Sequence, residues 1–307
     1  LPLARSVSLL RNQLREFFQH QRPDIVLVQG DTSTAYAGAL AATDCDLPLA
    51  HLEAGLRTST PTSPFPEEMF RRRISLLARW HFAPTAVACS NLLAEGIAAQ
   101  DIHVVGNSIV DLLKETLETA ACAPLDWRSK GSRLIVLTMH RRENYQHGLV
   151  NVSQAMIELL QQDPSLCLVC PLHPNPRVRS RLERIFSQHP RVLLTEPLPY
   201  RHFISLLREA SLIVTDSGGI QEEAPYIGVP VLVTRQETER PECLRNGLVK
   251  LAGNDKERLV QECTRLLDSP QPGACRFDDS APFGAGRSSI GVLDILSASG
   301  ARNSRVA

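Results

Sequence analysis

Short apolar runs along the chain alternate with longer stretches in which apolar residues recur every three or four positions. The short runs predict strands at 24–29, 47–52, 81–83, 102–105, 133–138, 165–170, 191–194, 212–215, 229–233 and 248–251. The longer stretches predict helices at 7–20, 32–43, 67–79, 87–98, 108–120, 149–162, 176–188, 201–209, 220–227, 255–267 and 287–297. This alternation is typical of α/β folds whose parallel sheets carry helices on both faces.

The segment 121–132, ACAPLDWRSKGS, interrupts this rhythm with Pro, Gly, Ser and charged residues. We interpret it as a linker between two doubly wound, Rossmann-like domains that face a cleft. The first is predicted at 1–122. The second is predicted at 123–298, with a final helix that could pack back on the first domain, and 299–307 as a flexible tail. Ligands of such sheets bind at the carboxyl ends of the strands.

Composition narrows the possible functions. Hydrophobic residues make up 43% and charged residues 21%, as in an ordinary globular protein. Lys plus Arg and Asp plus Glu are both 33, so the basic excess of a nucleic-acid-binding domain is missing and no nucleic-acid partner is expected. No apolar run reaches the roughly 20 residues that span a bilayer, so no membrane partner is expected.

The eight cysteines are scattered, and several lie in strand-like runs. This distribution favours a reducing, cytoplasmic location over a disulfide-bonded secreted protein. Cys167 and Cys170 form a C-x-x-C pair, but no second pair with matching spacing accompanies them. We interpret them as two positions of a buried strand, and we predict no metal site.

The run IVTDSGGIQEEAP at 213–225 predicts a buried strand that turns into a helix through two glycines. Glycines let the backbone approach an anion, and a helix start offers N–H groups and the positive end of a dipole. The predicted phosphate ligands are Ser217, Gly218 and Gly219, and the predicted acceptors for ribose hydroxyls are Glu222 and Glu223. The alternative is an ordinary turn in which Ser217 caps the helix.

Cationic side chains follow other predicted strands. His140 and Arg141 come after strand 133–138 and suit an anionic ligand at that strand end. Arg240, after strand 229–233, could clamp a phosphate through two N–H groups, or could belong to a solvated run of charges. His173, after strand 165–170, is either a site residue or a hydrogen bonder in a proline-rich turn.

Three carboxylates fall at strand ends or a helix start in the first predicted domain. They are Asp31, Glu53 and Glu67. Convergent carboxylates can carry proton transfers, because crowding separates their pKa values. Asp31 and Glu67 could instead stabilise helix starts. Glu53 is harder to explain structurally, because it follows His51 at the end of an apolar strand.

Eight motifs occur in order along nearly the whole chain. They are GDTST (30–34), HLEAGLRT (51–58), PFPEE (64–68), VGNSIVD (105–111), HRREN (140–144), HPNP (173–176), TDSGGIQEEAP (215–225) and TERPE (238–242). Together they resemble the non-hydrolysing UDP-N-acetylglucosamine 2-epimerases. The resemblance implies two Rossmann-like domains in the glycosyltransferase-B-like architecture, a homodimer, and no metal or other cofactor.

The resemblance also implies a reaction. UDP-N-acetylglucosamine and UDP-N-acetylmannosamine interconvert, in support of polysaccharide synthesis, when UDP is eliminated and re-added around a 2-acetamidoglucal. C2–H is weakly acidic, so a base must remove the proton and an acid must return it. By motif, the catalytic residues are Asp31, Glu53, Glu67 and His140. The substrate-binding residues are Arg141, Phe203, Ser217, Gly218, Gly219, Glu223 and Arg240, with Phe203 packing on uracil.

The sequence departs from the family at three places. The family's amino-terminal strand and G-T-R-P-E turn do not occur in the printed sequence, Phe70 replaces an Asn, and Gln146 replaces a Gly. The first departure removes two cations from the site and predicts weak or absent activity for the chain as printed. Two rival functions stay open, a UDP-sugar-dependent glycosyltransferase of the same architecture and an inactive sugar-nucleotide-binding homologue.

Overall fold

A computed structural model of the chain describes residues 2–119, 126–127, 132–139, 147–245, 247–270 and 273–298. The helices are α1 Leu3–Gln21, α2 Ser33–Asp44, α3 Glu67–Ser75, α4 Ala86–Ala94, α5 Ser108–Glu118, α6 His147–Gln162, α7 Pro176–Phe186, α8 Tyr200–Glu209, α9 Gly218–Ile227, α10 Lys256–Asp268 and α11 Ser288–Ala298. The strands are β1 Val26–Gln29, β2 Leu49–Leu52, β3 Trp80–Ala83, β4 Ile102–Val104, β5 Arg133–Thr138, β6 Leu166–Pro171, β7 Val192–Thr195, β8 Leu212–Thr215, β9 Val231–Val233 and β10 Val249–Leu251.

The chain divides into two compact units. Unit 1 comprises Leu1–Asp111 and Asp278–Ala307, and unit 2 comprises Leu112–Phe277. The expected boundary at 122 and the expected tail at 299–307 lie outside the described residues. Helix α11 contacts unit 1, where the Ser288 backbone N–H donates to Asp111 Oδ1 at 2.9 Å.

Unit 1 contains a parallel sheet in the order β1-β2-β3-β4. Apolar side chains of α1 and α2 cover one face, where Phe18 and Ala39 pack with Val28. On the other face, Val292 of α11 packs with Phe82 of β3. Because all four strands run the same way, the residues that follow β1 and β2 emerge at the same edge of the sheet.

Unit 2 contains a parallel sheet in the order β10-β9-β8-β5-β6-β7. The chain builds outward from β5 through β6 to β7, and then returns to the other side of β5 with β8. The pair β5–β8 is therefore the topological switch point, and the crevice outside its carboxyl end is the usual ligand position in such sheets.

The predicted strands and helices are all found, and the differences lie at their ends. Helix α3, expected to reach Arg79, ends at Ser75 because the Arg79 N–H already donates to Leu49 of strand β2. Helix α4, expected to reach Ala98, ends at Ala94 before Gly96, whose φ of +85° suits a helix end. Within the described part of the chain, no helix combines the length and apolar character needed to cross a membrane.

Candidate active site

Asp31 and Glu53 lie in the loops that follow the paired strands β1 and β2 of unit 1. Glu53 directly follows β2 with a φ of 62°, a left-handed conformation that costs a non-glycine residue about 1–2 kcal/mol. Its Oε1 accepts a hydrogen bond from Gln29 Nε2 at 2.8 Å. A Cβ on Gly30, which precedes Asp31, would lie 3.5 Å from Glu53 Oε2. The Glu53 carboxylate thus lies against the residues that directly precede Asp31.

His51 supports this turn from inside the sheet. Its Nε2 lies 2.9 Å from the Gly30 carbonyl oxygen, so Nε2 carries the proton and donates it. Burial lowers the pKa of His51 to about 4, so the ring is neutral at physiological pH. A neutral ring adds no net charge beside Asp31 and Glu53, and its hydrogen bond fixes the Gly30 carbonyl group, directly before Asp31.

The alternative role at a helix start is wrong for Asp31 and fits Glu67. Helix α2 is capped by Thr32, whose side chain accepts from the Ala35 N–H, so Asp31 does not cap it. Asp31 instead faces Arg71 of α3, with Asp31 Oδ2 3.4 Å from Arg71 Nε. Glu67 is the first residue of α3, where its charge complements the helix dipole. A dipole role for Glu67 therefore coexists with the predicted catalytic role.

Arg71 and Glu68 were missed in the sequence analysis. Both side chains are buried in unit 1, and Arg71 Nη2 lies 3.3 Å from Glu68 Oε2. The available signal was the spacing of α3, because Glu68, Arg71 and Arg72 stand three and four positions apart. Phe70, the residue that departs from the family, packs inward and stacks on Tyr36 with ring centroids 4.8 Å apart.

The glycine turn of unit 2 lies at the switch point. Thr138 ends β5 and Thr215 ends β8, and their buried hydroxyl oxygens are 2.7 Å apart. Thr215 Oγ1 also accepts the Ser217 N–H at 3.0 Å. Ser217 occupies the N-cap position of α9 but makes no side-chain capping bond. A Cβ on Gly219 would meet Ser217 Oγ at 4.0 Å, so there is space for a ligand at the start of α9.

Arg240 reaches the same turn and is held there by carboxylates. Its guanidinium lies against Gly218, where a Cβ would come within 2.6 Å of Nη1. Its Nε donates to Glu222 Oε1 at 2.5 Å, and its Nη1 donates to Glu239. The alternative of a solvated run of charges is wrong for Arg240, because the side chain is buried. Glu222, expected to face ribose, faces Arg240 instead.

Glu223 lies one position further along α9 and points toward α8. The Tyr200 hydroxyl donates to Glu223 Oε1 at 2.6 Å. Burial raises the pKa of Glu223 to about 7, and the hydrogen bond from Tyr200 opposes that rise. Phe203 follows Tyr200 by three positions on α8, so the two rings share a face of that helix. Tyr200 was missed in the sequence analysis.

The remaining sequence candidates fall in three groups. His140 and Arg141 lie outside the described residues. His173 accepts the Asn175 N–H on Nδ1 at 3.0 Å, a turn contact that leaves a site role untested. Cys167 and Cys170 are buried in β6, as expected. In the ranges that the structure describes, no group of three or more His, Cys, Asp or Glu could hold a metal ion.

Comparison with known proteins assigns the chain to a family. The family model for UDP-N-acetylglucosamine 2-epimerase matches residues 2–297. The chain belongs to this family. A Neisseria meningitidis UDP-N-acetylglucosamine 2-epimerase is 39% identical over 298 residues, which cover 94% of this chain and 79% of that protein. The family resemblance in the sequence is thereby confirmed.

Solved structures agree with this assignment. The N. meningitidis UDP-GlcNAc 2-epimerase bound to UDP-GlcNAc has a TM-score of 0.90 and 37% identity, over 97% of this chain and 82% of that one. The Methanocaldococcus jannaschii UDP-GlcNAc 2-epimerase in complex with UDP-GlcNAc and UDP has a TM-score of 0.84 and 32% identity, over 97% and 82% of the two chains. The predicted α/β class with glycosyltransferase-B-like architecture is confirmed.

Proposed function

We propose that this protein reversibly inverts C2 of UDP-N-acetylglucosamine and so forms UDP-N-acetylmannosamine. The observation that carries the proposal is the placement of Asp31 and Glu53 together at the strand ends of unit 1. A glycosyltransferase would use the glycine turn of unit 2 but has no need for such paired carboxylates. Family membership supports the same choice.

Unit 2 holds the nucleotide in this proposal. The turn formed by Ser217, Gly218 and Gly219 offers backbone N–H groups and a helix dipole to the diphosphate. Glu223 accepts hydrogen bonds from the ribose hydroxyls, because Tyr200 engages its Oε1 and leaves Oε2 for a ligand. Phe203 packs on the uracil ring. Arg240 neutralises the buried carboxylates below the turn and adds positive charge at Gly218.

Unit 1 moves the proton. A carboxylate removes the C2 proton, the electron pair of the C2–H bond forms the C1=C2 double bond, and the C1–O bond breaks with its electrons on UDP. An acid then returns a proton to the other face of C2 as UDP re-adds to C1. Asp31, Glu53 and Glu67 supply the acid and base for these steps. His140 and Arg141 are assigned to the proposed site by their sequence motif alone.

The reaction is redox-neutral, and we propose that it uses no metal or other cofactor. We also propose a homodimer and a cytoplasmic location. The thiols support the location, because none of the seven described cysteines forms a disulfide. Sedimentation that shows a stable monomer at micromolar concentration would exclude the homodimer.

The test of the activity follows the C2 proton directly. Proton NMR of UDP-N-acetylglucosamine in deuterium oxide should show loss of the C2 signal and growth of the UDP-N-acetylmannosamine signals. The parent protein for this assay carries the family's G-T-R-P-E turn, because the printed chain without that turn is expected to be weakly active. Asp31→Asn should abolish this exchange, whereas Asp44→Asn at the far end of α2 should not, because Asp44 pairs with exposed Arg11. UDP binding without exchange in the parent protein would show a nucleotide-binding homologue and reject the epimerase proposal.

A further inference from the structure

Arg71 is an unusually buried cation. Its side chain on α3 is 1% exposed. Among the described residues, none of its three guanidinium nitrogens makes a hydrogen bond of acceptable geometry. It nevertheless lies between two carboxylates, with Nε 3.4 Å from Asp31 Oδ2 and Nη2 3.3 Å from Glu68 Oε2. Arg71 is thus held by charge rather than by directed hydrogen bonds.

Glu68 does not depend on Arg71 for its charge balance. Its Oε1 accepts from Arg72 Nε at 2.9 Å, and its Oε2 accepts the Thr58 N–H at 3.3 Å. Arg72 in turn pairs with Glu95 at 2.5 Å. The positive charge of Arg71 is therefore available to Asp31, whose side chain remains 29% exposed and can meet a ligand.

Stability does not explain this arrangement. Taking a guanidinium out of water costs several kcal/mol, and only excellent geometry with full hydrogen bonding recovers that cost. Arg71 lacks such geometry, so its contacts with the two carboxylates recover little of that cost. A fixed cation beneath an exposed carboxylate is instead useful when that carboxylate must stay in one place.

We propose that Arg71 is a positioning residue for the epimerisation. Its buried charge holds the Asp31 carboxylate in the place from which it exchanges a proton with C2. The inference rests on the proposed function, and it adds a residue that does not touch the substrate. Because Arg71 belongs to unit 1, it has no part in holding UDP. Its loss changes kcat and leaves nucleotide affinity as it is.

The test compares Arg71→Met, Arg71→Lys and Arg73→Met. Arg71→Met should lower the Tm, because it removes a cation from buried Glu68. It should also lower kcat about a hundredfold because Asp31 is displaced by about an ångström, and leave KM and the Kd for UDP unchanged. Arg71→Lys restores the charge, so its kcat should recover to within about tenfold of that of the parent. Arg73→Met removes an exposed cation of the same helix and should keep kcat and Tm close to those of the parent.

The results that would overturn the inference differ from the result that would overturn the proposed function. A parental kcat in Arg71→Met overturns the inference. A kcat that stays as low in Arg71→Lys as in Arg71→Met also overturns it, because the restored charge would then not restore the rate. If Arg71→Met does not fold, Arg71→Gln, which keeps a polar side chain and removes the charge, decides, and a parental kcat in that variant overturns the inference. If the parent shows no C2 exchange, the proposed function itself fails, which is a different result from exchange that Arg71 does not affect.

Discussion

The carboxylates around the glycine turn of unit 2 and the proposed acid and base of unit 1 have different surroundings. In unit 2, Glu222, Glu223 and Glu239 are buried, and each accepts a hydrogen bond from a neighbouring Arg or Tyr. In unit 1, Asp31 and Glu53 are only partly buried at strand ends. A carboxylate that shapes a binding cradle needs fixed partners, whereas one that exchanges a proton needs an open face. The comparison supports the proposal that unit 2 binds the nucleotide and unit 1 performs the chemistry.

The two sheets also place their candidate residues at different kinds of position. The unit 2 sheet has β5 at its centre, and its glycine turn follows β8 at the switch point. In unit 1 the predicted acid and base follow the adjacent strands β1 and β2, and within the described residues β1 pairs with β2 alone. Leu27 of β1 is accordingly exposed. Adjacent strand ends bring two side chains together, whereas a switch point opens a crevice for a whole nucleotide.

The largest effect should come from Glu53→Gln in unit 1. Loss of a general acid or base lowers the rate by about a thousandfold, while the Kd for UDP should not change because unit 2 is intact. Steady-state kinetics and titration calorimetry measure the two quantities. Glu95→Gln is a control among the charged residues of unit 1. A Kd for UDP that weakens together with kcat in Glu53→Gln would break the division of labour between the units.

Arg240→Ala should have the next largest effect, and it should act on binding and stability. It leaves the buried Glu222 carboxylate without its cation, which costs about 3–5 kcal/mol of unfolding free energy. The affinity for UDP should fall by about 1–3 kcal/mol as well. Urea unfolding and calorimetry test both, with Arg245→Ala as an exposed control. Unchanged values would mean that the buried cluster does not shape the cradle.

The pH dependence of binding should follow Glu223. Its pKa of about 7 in the folded protein exceeds the usual value, so its contribution to stability is full below about pH 4.5 and is lost as the pH rises through 7. The ionised carboxylate accepts ribose hydroxyls better, so the affinity for UDP-N-acetylglucosamine should rise about tenfold from pH 6 to pH 8. Calorimetry at several pH values measures this rise.

Two variants separate Glu223 from other titrating groups. Glu223→Gln should give a nearly flat pH profile. Tyr200→Phe removes a hydrogen bond that lowers the pKa of Glu223, so the rise in affinity should move to higher pH. Glu196→Gln, at an exposed carboxylate, should reproduce the parent profile. A profile in Glu223→Gln that matches the parent would assign the pH dependence to another residue.

The smallest effect should come from Thr138→Val at the switch point. This change removes the hydrogen bond to Thr215 and should cost about 1 kcal/mol of unfolding free energy. UDP should bind slightly more weakly, because Thr215 also accepts the Ser217 N–H that orients the turn. Thr264→Val, where the hydroxyl bonds only to Val260 of its own exposed turn, should cost less in urea unfolding. Equal losses of unfolding free energy in the two variants would mean that the Thr138–Thr215 hydrogen bond stabilises the fold no more than an exposed one.

The hydrophobic periodicity and the motifs of the sequence were enough to predict most strands and helices and several candidate site residues. Strands β5 and β8 were predicted residue by residue, because buried parallel strands are continuous apolar runs bounded by turn residues. Asp31, Glu53 and the glycine turn were found because carboxyl ends of parallel strands can be read directly from such runs. The α/β class and the epimerase family followed from the same patterns.

Only the tertiary structure decided which side chains meet. Tyr200 and Glu223 are 23 positions apart, and each looks like an ordinary helix residue until α8 packs beside α9. Arg71 lies on a helix rich in charge, and the sequence pattern alone cannot distinguish a buried guanidinium from a solvated one. Helix ends also depended on long-range contacts, as when Arg79 joined the ladder of β2. Periodicity reports the face that a residue occupies, whereas pairing across elements depends on how those faces pack.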